Sequence, residues 1–219
     1  MEKIFKAIGK EIIRRFGADS SGHDIHHLLR VQKMSLRLQQ KHGGNKFIIG
    51  VSALVHDVHR LLPGDSGRYC SPEDSLPQVL EILLQADVPG RFHEAICRCV
   101  RYHEEYKFGP RGNPATDIET LILQDADNLD ALGAIGLARA FAYGGAYDIA
   151  IWLPDVPLTQ ADGYIESATD ASEVHHIHNK LLRLKDNMNT ATARRIARGR
   201  HAYVKKFLDQ FLSEWKGLK

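Results

Sequence analysis

Ala53-Leu54-Val55-His56-Asp57-Val58 ends a segment, 47–58, that is apolar on most of its sides. A helix without a polar stripe lies inside a protein, so this segment predicts a central, buried helix. An aspartate buried there needs a counter-charge, since an unpaired carboxylate inside a protein is costly. A metal ion would supply that charge, and the His56-Asp57 pair therefore predicts a metal site at the end of the central helix.

Helical spacing of apolar residues continues on both sides of this segment, and no stretch alternates as a strand would. Capping residues, Gly and Pro divide the chain into predicted helices at 3–16, 24–42, 47–58, 72–85, 90–103, 117–132, 134–143, 173–183 and 192–215. Two loops rich in Gly and Pro, 60–71 and 104–116, flank the segments that carry histidines. Pro154 and Pro157 exclude a helix interior in residues 144–172. We therefore expect an all-α protein.

The composition fits one globular unit. The chain has 219 residues, 43% of them hydrophobic and 26% charged, which allows a substantial core in a single domain. We expect a core at about 20–140 and a C-terminal helical extension at about 141–219. The net charge of +2 is too small to indicate nucleic acid or a membrane surface by itself. The basic residues of 194–206 are interrupted and fit the solvated face of a helix better than a nucleic-acid contact.

Nothing in the sequence predicts a membrane protein or an exported one. No stretch approaches the roughly 20 apolar residues that a bilayer span needs. The first residues lack the apolar region of a signal peptide. Cys70, Cys97 and Cys99 are a sparse set that fits reduced, buried thiols, and we expect a cytoplasmic protein.

A second histidine faces the core from the helix predicted at 24–42. His27 is in line with Val31 and Leu38 on an apolar stripe, whereas His26 is in line with Arg30 on a polar face. A lone inward histidine is more often a hydrogen-bonded core residue than a metal ligand. The His56-Asp57 pair on another buried helix shifts this balance towards a shared metal site.

The acidic run Asp125-Ala126-Asp127 offers a further carboxylate, and helix geometry does not settle which one. Asp125 falls on the apolar stripe of Ile122 and Leu129, so register favours it as the buried acid. Asp127 lies about 200° away from Asp125 around the helix. Both aspartates stay candidates on this argument.

His103 follows Ile96 and Val100 on one helical face, which predicts that it also points inward. It could contact a substrate phosphate, donate a proton or bind a second metal ion. The plain alternative is a histidine at a helix end beside a loop.

Imidazole nitrogens and carboxylate oxygens from three helices suit one divalent ion of manganese, iron, cobalt, nickel or zinc, and magnesium is also compatible. Such an ion lowers the pKa of a bound water and polarises a phosphoryl oxygen, which predicts hydrolysis of a phosphate ester. Asp57 would both bind the ion and orient the water. Phosphate also needs cationic partners, and Arg30, Lys180 and Lys185 are the candidates.

The residues resemble the HD-domain superfamily of metal-dependent phosphohydrolases, whose pattern H…HD…D is met by His27, His56-Asp57 and Asp127. The longer strings that carry the resemblance are HDIHHLLRV (23–31), ALVHDV (53–58), QDADNLDALGAIGLAR (124–139) and HNKLLRLK (178–185). The third and fourth are similar to one bacterial subgroup. The resemblance as a whole spans roughly residues 20–215, which is most of the chain. The resemblance implies an HD-type helical bundle and a metal site of His27, His56, Asp57 and Asp127.

Related members of the superfamily are thought to hydrolyse nucleoside triphosphates to monophosphate and pyrophosphate with manganese. The resemblance therefore implies a small phosphate ester, a nucleotide, as substrate. From their positions, we expect Asp57, His103 and Arg30 as catalytic residues and Arg30, His103, Lys180 and Lys185 as substrate contacts. The expected state is a monomer or homodimer, and the sequence does not choose between them. The alternatives are hydrolysis of another ester, such as a nucleoside monophosphate, and a non-catalytic nucleotide-binding module.

Two departures from the family pattern bear on the substrate. The chain has His103-Glu104-Glu105 where members often carry H-S-F, and it has His59-Arg60 where other HD nucleotidases place an acidic residue. The G-Y-P motif of cyclic-di-GMP phosphodiesterases is absent from the sequence, which argues against that activity.

Overall fold

The computed structural model describes residues 1–16, 21–64, 69–109, 112–158 and 170–218, and within them every regular element is helical. The α-helices are α1 (Glu2–Phe16), α2 (Ile25–His42), α3 (Lys46–Val55), α4 (Leu76–Gln85), α5 (His93–Tyr102), α6 (Ile118–Asp130), α7 (Ala134–Ala146), α8 (Glu173–Asn179), α9 (Leu184–Asn187) and α10 (Ala191–Trp215). Short 3₁₀ turns occupy His56–Leu61, Gly90–Phe92 and Leu181–Arg183. The prediction of an all-α fold is confirmed.

Helix α3 is the central element, as its sequence predicts. Every residue of α3 after Lys46 is buried, and α3 contacts α1, α2, α5 and α6. Asn45 begins it by accepting hydrogen bonds from the backbone of Phe47 and Ile48, which satisfies donors that a helix start leaves open. Gly50 lets α1 approach closely, because a Cβ there would lie 2.5 Å from the ring of Phe5.

The helix predicted over 47–58 ends earlier, at Val55, and continues as the 3₁₀ turn His56–Leu61. Two imidazoles hydrogen-bond to carbonyls three residues back: His56 Nδ1 lies 3.0 Å from the Ala53 oxygen, and His59 Nδ1 lies 3.2 Å from the His56 oxygen. These bonds engage carbonyls that a longer α-helix would use, and they favour the tighter turn. The predicted helix 173–183 is likewise divided, because the backbone leaves α8 at Lys180 and re-forms as a 3₁₀ turn.

Helix α6 lies between two layers, with α2 and α3 on one side and α10 on another. Asp125 joins it to the C-terminal part of the chain. The carboxylate of Asp125 accepts hydrogen bonds from the backbone N–H groups of Asn189 at 2.6 Å and Thr190 at 2.7 Å, just before α10. None of the helices in the described ranges is both long and apolar enough to cross a membrane.

Candidate metal centre

Four side chains meet where α2, the 3₁₀ turn after α3, and α6 converge. Nε2 of His27 lies 3.3 Å from Nε2 of His56, 3.2 Å from Oδ2 of Asp57 and 3.4 Å from Oδ1 of Asp127. Nε2 of His56 lies 3.7 Å from Oδ1 of Asp57 and 3.8 Å from Oδ1 of Asp127. These spacings gather two imidazole nitrogens and two carboxylates around one point.

The tautomers of the two histidines fit a cation at that point. His27 Nδ1 lies 2.8 Å from Asp130 Oδ2, and His56 Nδ1 lies 3.0 Å from the Ala53 oxygen. Both acceptors fix the proton on Nδ1, so in the neutral rings the two Nε2 atoms face each other with lone pairs at 3.3 Å. Two lone pairs at this distance repel each other unless a cation lies between them, and histidine ligands are oriented by such bonds. The residues present therefore fit a divalent ion.

The carboxylates are ionised, as metal ligands must be. Burial disfavours the charged form of Asp57, but the neighbouring His56 and His23 outweigh it and hold the pKa of Asp57 well below its usual range. Burial likewise opposes ionisation of Asp127, but the adjacent His56 holds the pKa of Asp127 far below normal.

The chain places Asp125 and Asp127 on different sides of α6. Asp125 is fully buried, as its register predicts, but its carboxylate is engaged by the backbone before α10. Asp127 is partly exposed and lies beside His27 and His56. The more buried acid is therefore the structural one, because α6 is covered on more than one face.

The other residues chosen from sequence lie at different distances from this point. His103 is buried, with Nε2 3.8 Å from Asp57 Oδ1. Lys180 lines the adjoining cavity, and its Nζ lies 5.2 Å from the ring centre of Tyr106. Arg30 and Lys185 are not among the described residues that line the cavity. Lys185 Nζ lies 2.6 Å from Asp186 Oδ1.

Arg30 contacts the centre through Asp130 rather than directly. Its Nε donates to Asp130 Oδ1 at 2.8 Å, and Arg139 Nη1 lies 3.2 Å from Asp130 Oδ2. Burial opposes ionisation of Asp130, but His27 and Arg30 hold its pKa well below the usual range. Asp130 is thus an ionised carboxylate that orients His27.

Four further residues beside the centre have no role that the sequence predicts, namely His23, Arg60, Glu104 and Asp130. His23 Nδ1 lies 2.8 Å from Asp57 Oδ2, and burial lowers the pKa of His23, so its ring is neutral and donates that bond. His23 precedes α2, so no helical register could place it. Arg60 and Glu104 form an ion pair. Both stand at positions where the chain departs from the family pattern, and that was the available signal.

A cavity with about 880 Å³ of empty space, including the part open to solvent, adjoins the centre. Asp127, Arg60, Glu104, Arg139, Tyr143 and Lys180 are among its lining residues. Glu173 also lines it, and burial raises the pKa of Glu173 to about 7. At neutral pH this acid can accept or donate a hydrogen bond to a ligand. The cavity thus combines carboxylates near the centre with cationic and aromatic side chains.

The HD domain family model matches residues 24–132. YpgQ of Bacillus subtilis (strain 168) is 34% identical over 203 residues, which cover 91% of this chain and 88% of YpgQ.

Solved structures share the fold over nearly the whole chain. A Lactobacillus plantarum protein has a TM-score of 0.82 at 29% identity, covering 99% of both chains. An HD-superfamily hydrolase of Bacillus thuringiensis has a TM-score of 0.68 at 36% identity, covering 98% of this chain and 97% of its own. The structure of Bacillus subtilis YpgQ in complex with ADP has a TM-score of 0.66 at 29% identity, covering 96% and 100%.

The fold and the site together define a class, an all-α protein with a candidate metal centre at the end of its central helix. Within that class, this chain belongs to the HD-domain family. The family resemblance is therefore confirmed, whereas the assignment to a nucleotide-cleaving subgroup stays a prediction.

The support that Asp130 gives His27 leads to a testable expectation. Asp130→Asn should weaken divalent metal binding about 10- to 100-fold, because loss of the charge that orients a histidine ligand has effects of this size. Titration calorimetry with Mn²⁺ measures the change. Asp209→Asn, at an exposed aspartate of α10, is the matched control and should bind Mn²⁺ as the wild type does. An unchanged dissociation constant for Asp130→Asn would remove Asp130 from the centre.

Proposed function

We propose that this protein is a metal-dependent phosphohydrolase that converts nucleoside triphosphates to monophosphate and pyrophosphate. The ligands proposed for one divalent ion are His27, His56, Asp57 and Asp127. The observation that carries the proposal is that the two imidazoles lie within 3.2–3.8 Å of each other and of both carboxylates, beside a cavity with cationic lining. A phosphate group carries negative charge on its oxygens. This arrangement offers both an ion and basic side chains to neutralise that charge.

The comparisons support a nucleotide as ligand. YpgQ, the Bacillus subtilis relative, has been crystallised in complex with ADP. A 34% identity over most of both chains makes a similar ligand the first one to test here. Tyr143 and Tyr106 add aromatic surface to the cavity lining, on which a base can stack.

When bound, a divalent ion supplies a water of lowered pKa and polarises a phosphoryl oxygen. The chain's own residues do the rest. Asp57 is the carboxylate proposed to bind the ion and to orient the water towards the reacting phosphorus. His103, whose Nε2 lies 3.8 Å from Asp57 Oδ1, is proposed as a catalytic residue and a substrate contact. Lys180 is the proposed phosphate contact from the cavity wall. Arg30 is proposed to position His27 through Asp130, and Lys185 is a more distant candidate phosphate contact.

Manganese is the ion we favour, on the family resemblance, while the nitrogen and oxygen donors also suit iron, cobalt, nickel and zinc. A cytoplasmic location is part of the proposal, because Cys70, Cys97 and Cys99 are all free thiols.

The test is release of pyrophosphate and orthophosphate from a panel of nucleoside mono- and triphosphates. Metal-stripped protein would be assayed with Mn²⁺, Mg²⁺, Co²⁺ or no added metal. We expect metal-dependent pyrophosphate release from triphosphates. Orthophosphate release from monophosphates alone would instead identify a nucleotidase. Binding of nucleotides without release of either product would identify a non-catalytic module.

A further inference from the structure

A second group of potential ligands lies next to the candidate metal centre. Asp57, His59, His103 and Glu104 each present one ligand atom, and these atoms all lie within 4.8 Å of one another. Asp57, His59 and His103 are buried. They come from the 3₁₀ turn after α3 and from the end of α5, so two separate segments build the group.

Backbone carbonyls fix the ring orientation of both histidines in this group. His59 Nδ1 lies 3.2 Å from the His56 oxygen, and His103 Nδ1 lies 2.6 Å from the Val100 oxygen. A carbonyl can only accept, so each Nδ1 carries the proton. The same device, an Nδ1–H donated to a backbone oxygen or a carboxylate, orients His27 and His56.

Both free Nε2 atoms are left without a hydrogen bond. They are fully buried, and neither has a hydrogen-bond partner among the residues that the structure describes. The nearest carboxylate oxygens are Glu104 Oε1, 3.5 Å from His59, and Asp57 Oδ1, 3.8 Å from His103. A neutral imidazole nitrogen and a carboxylate oxygen are both acceptors, so these contacts do not satisfy each other. A buried polar atom without a partner costs free energy and calls for an explanation.

Arg60 compensates part of the negative charge of Glu104 and Asp57, but it forms no hydrogen bond with Nε2 of His59 or His103. Its guanidinium pairs with Glu104 and lies 3.4 Å from Asp57 Oδ1 and over the ring of Tyr69. Arg60 therefore contacts the carboxylates, while neither imidazole Nε2 has a hydrogen-bond partner among the described residues. A divalent ion would satisfy the two nitrogens and the remaining carboxylate oxygens together.

Asp57 is placed to serve both groups. Its Oδ2 lies 3.2 Å from His27 Nε2, on the side of the first centre, and its Oδ1 lies 3.8 Å from His103 Nε2, on the other side. We propose that the chain binds a second divalent ion through His59, His103 and Glu104, with Asp57 shared between the two ions. Two nitrogen and two oxygen donors suit manganese, iron, cobalt, nickel or zinc. Glu104, where family members often have serine, makes this site a feature of this chain rather than of the family pattern.

Metal stoichiometry tests the proposal directly. Metal-stripped full-length protein is dialysed against Mn²⁺ at saturation, and bound manganese is measured by elemental analysis. Wild type should hold two ions per chain, and His59→Gln and Glu104→Gln should each hold one. Asp127→Asn, which alters only the first centre, should also lose one ion. His26→Gln changes an exposed histidine of α2 and should still hold two.

The outcomes separate this site from the proposed function. One ion in wild type, or two ions in both His59→Gln and Glu104→Gln, would overturn the second site. Circular dichroism identifies any variant that fails to fold, and the other variant then decides. Anomalous diffraction from Mn²⁺-loaded crystals should show a peak beside His59 and His103, and a peak only beside His27 would refute it. Pyrophosphate release by a one-ion wild type would uphold the proposed function alone, whereas two ions without release would uphold the site alone.

Discussion

Asp57→Asn should lower kcat/KM for pyrophosphate release by about 10³-fold or more, because several kcal/mol of transition-state stabilisation by the metal depend on this carboxylate. Each of its oxygens faces a histidine, His27 on one side and His103 on the other. Asparagine keeps the shape of the side chain but removes its charge, so a metal ion loses one anionic ligand. Steady-state pyrophosphate release and bound manganese, measured on the same preparation, report the two losses together.

His26→Gln is the control for this variant, because His26 is exposed on α2 next to the buried His27. It should keep the wild-type rate. Asp57→Asn should also keep the wild-type circular dichroism, because the neighbours of Asp57 are polar. The comparison of rates is meaningful only when the variant is folded. Undiminished turnover in a folded Asp57→Asn protein would exclude the proposed centre. Loss of fold would instead make Asp57 a structural residue.

Asp125→Ala should lower the free energy of unfolding by about 3 kcal/mol, which corresponds to a fall in Tm of roughly 8 °C for a chain of this size. The reason is that the Asp125 carboxylate accepts hydrogen bonds from the backbone N–H groups of Asn189 and Thr190, at 2.6 and 2.7 Å. Alanine leaves both donors without this charged partner at the start of α10. Thermal unfolding followed by circular dichroism measures the difference.

Asp127→Ala is the matched comparison, two residues along the same helix. It should change Tm by little in metal-free protein, because Asp127 is partly exposed and contacts histidines rather than the backbone. It should, however, bind manganese more weakly than Asp125→Ala does. If the two variants exchanged these phenotypes, the division of labour between the two aspartates would be wrong.

Amphipathic spacing predicted much of the fold and part of the site. The apolar segment 47–58 identified the central helix, and the stripe of Val31 and Leu38 correctly separated buried His27 from exposed His26. Spacing failed where burial comes from more than one side. Asp125 is buried, as its register required, yet it faces the segment before α10, and register cannot say which neighbour covers a buried face.

Long side chains were harder to place than buried ones. Arg30 was proposed as a phosphate contact, but it bonds to Asp130, which lies 100 positions further along the chain. Lys185 bonds to its neighbour Asp186. A long cationic side chain can pair with any acidic group that the fold brings within its reach. Sequence spacing does not predict which acidic group that is.

Two departures from the family pattern turned out to be one feature. Arg60 and Glu104 are 44 positions apart, and each looked like an isolated exception in the sequence. In the structure they pair with each other beside Asp57. The positive charge of Arg60 is thus matched by the negative charge of Glu104, and only the tertiary structure reveals this pairing.

Residues 125–130 of α6 contact three different regions of the molecule, so these residues cannot be replaced independently of one another. Asp125 faces the backbone before α10, Asp127 faces the metal ligands, and Asp130 holds His27, Arg30 and Arg139. Because successive residues turn by about 100°, their directions are tied together by the helix itself. Inserting a single residue into this run would misdirect every position beyond it. A protein engineer who wishes to transplant the site must therefore move the run intact, together with the surfaces it meets.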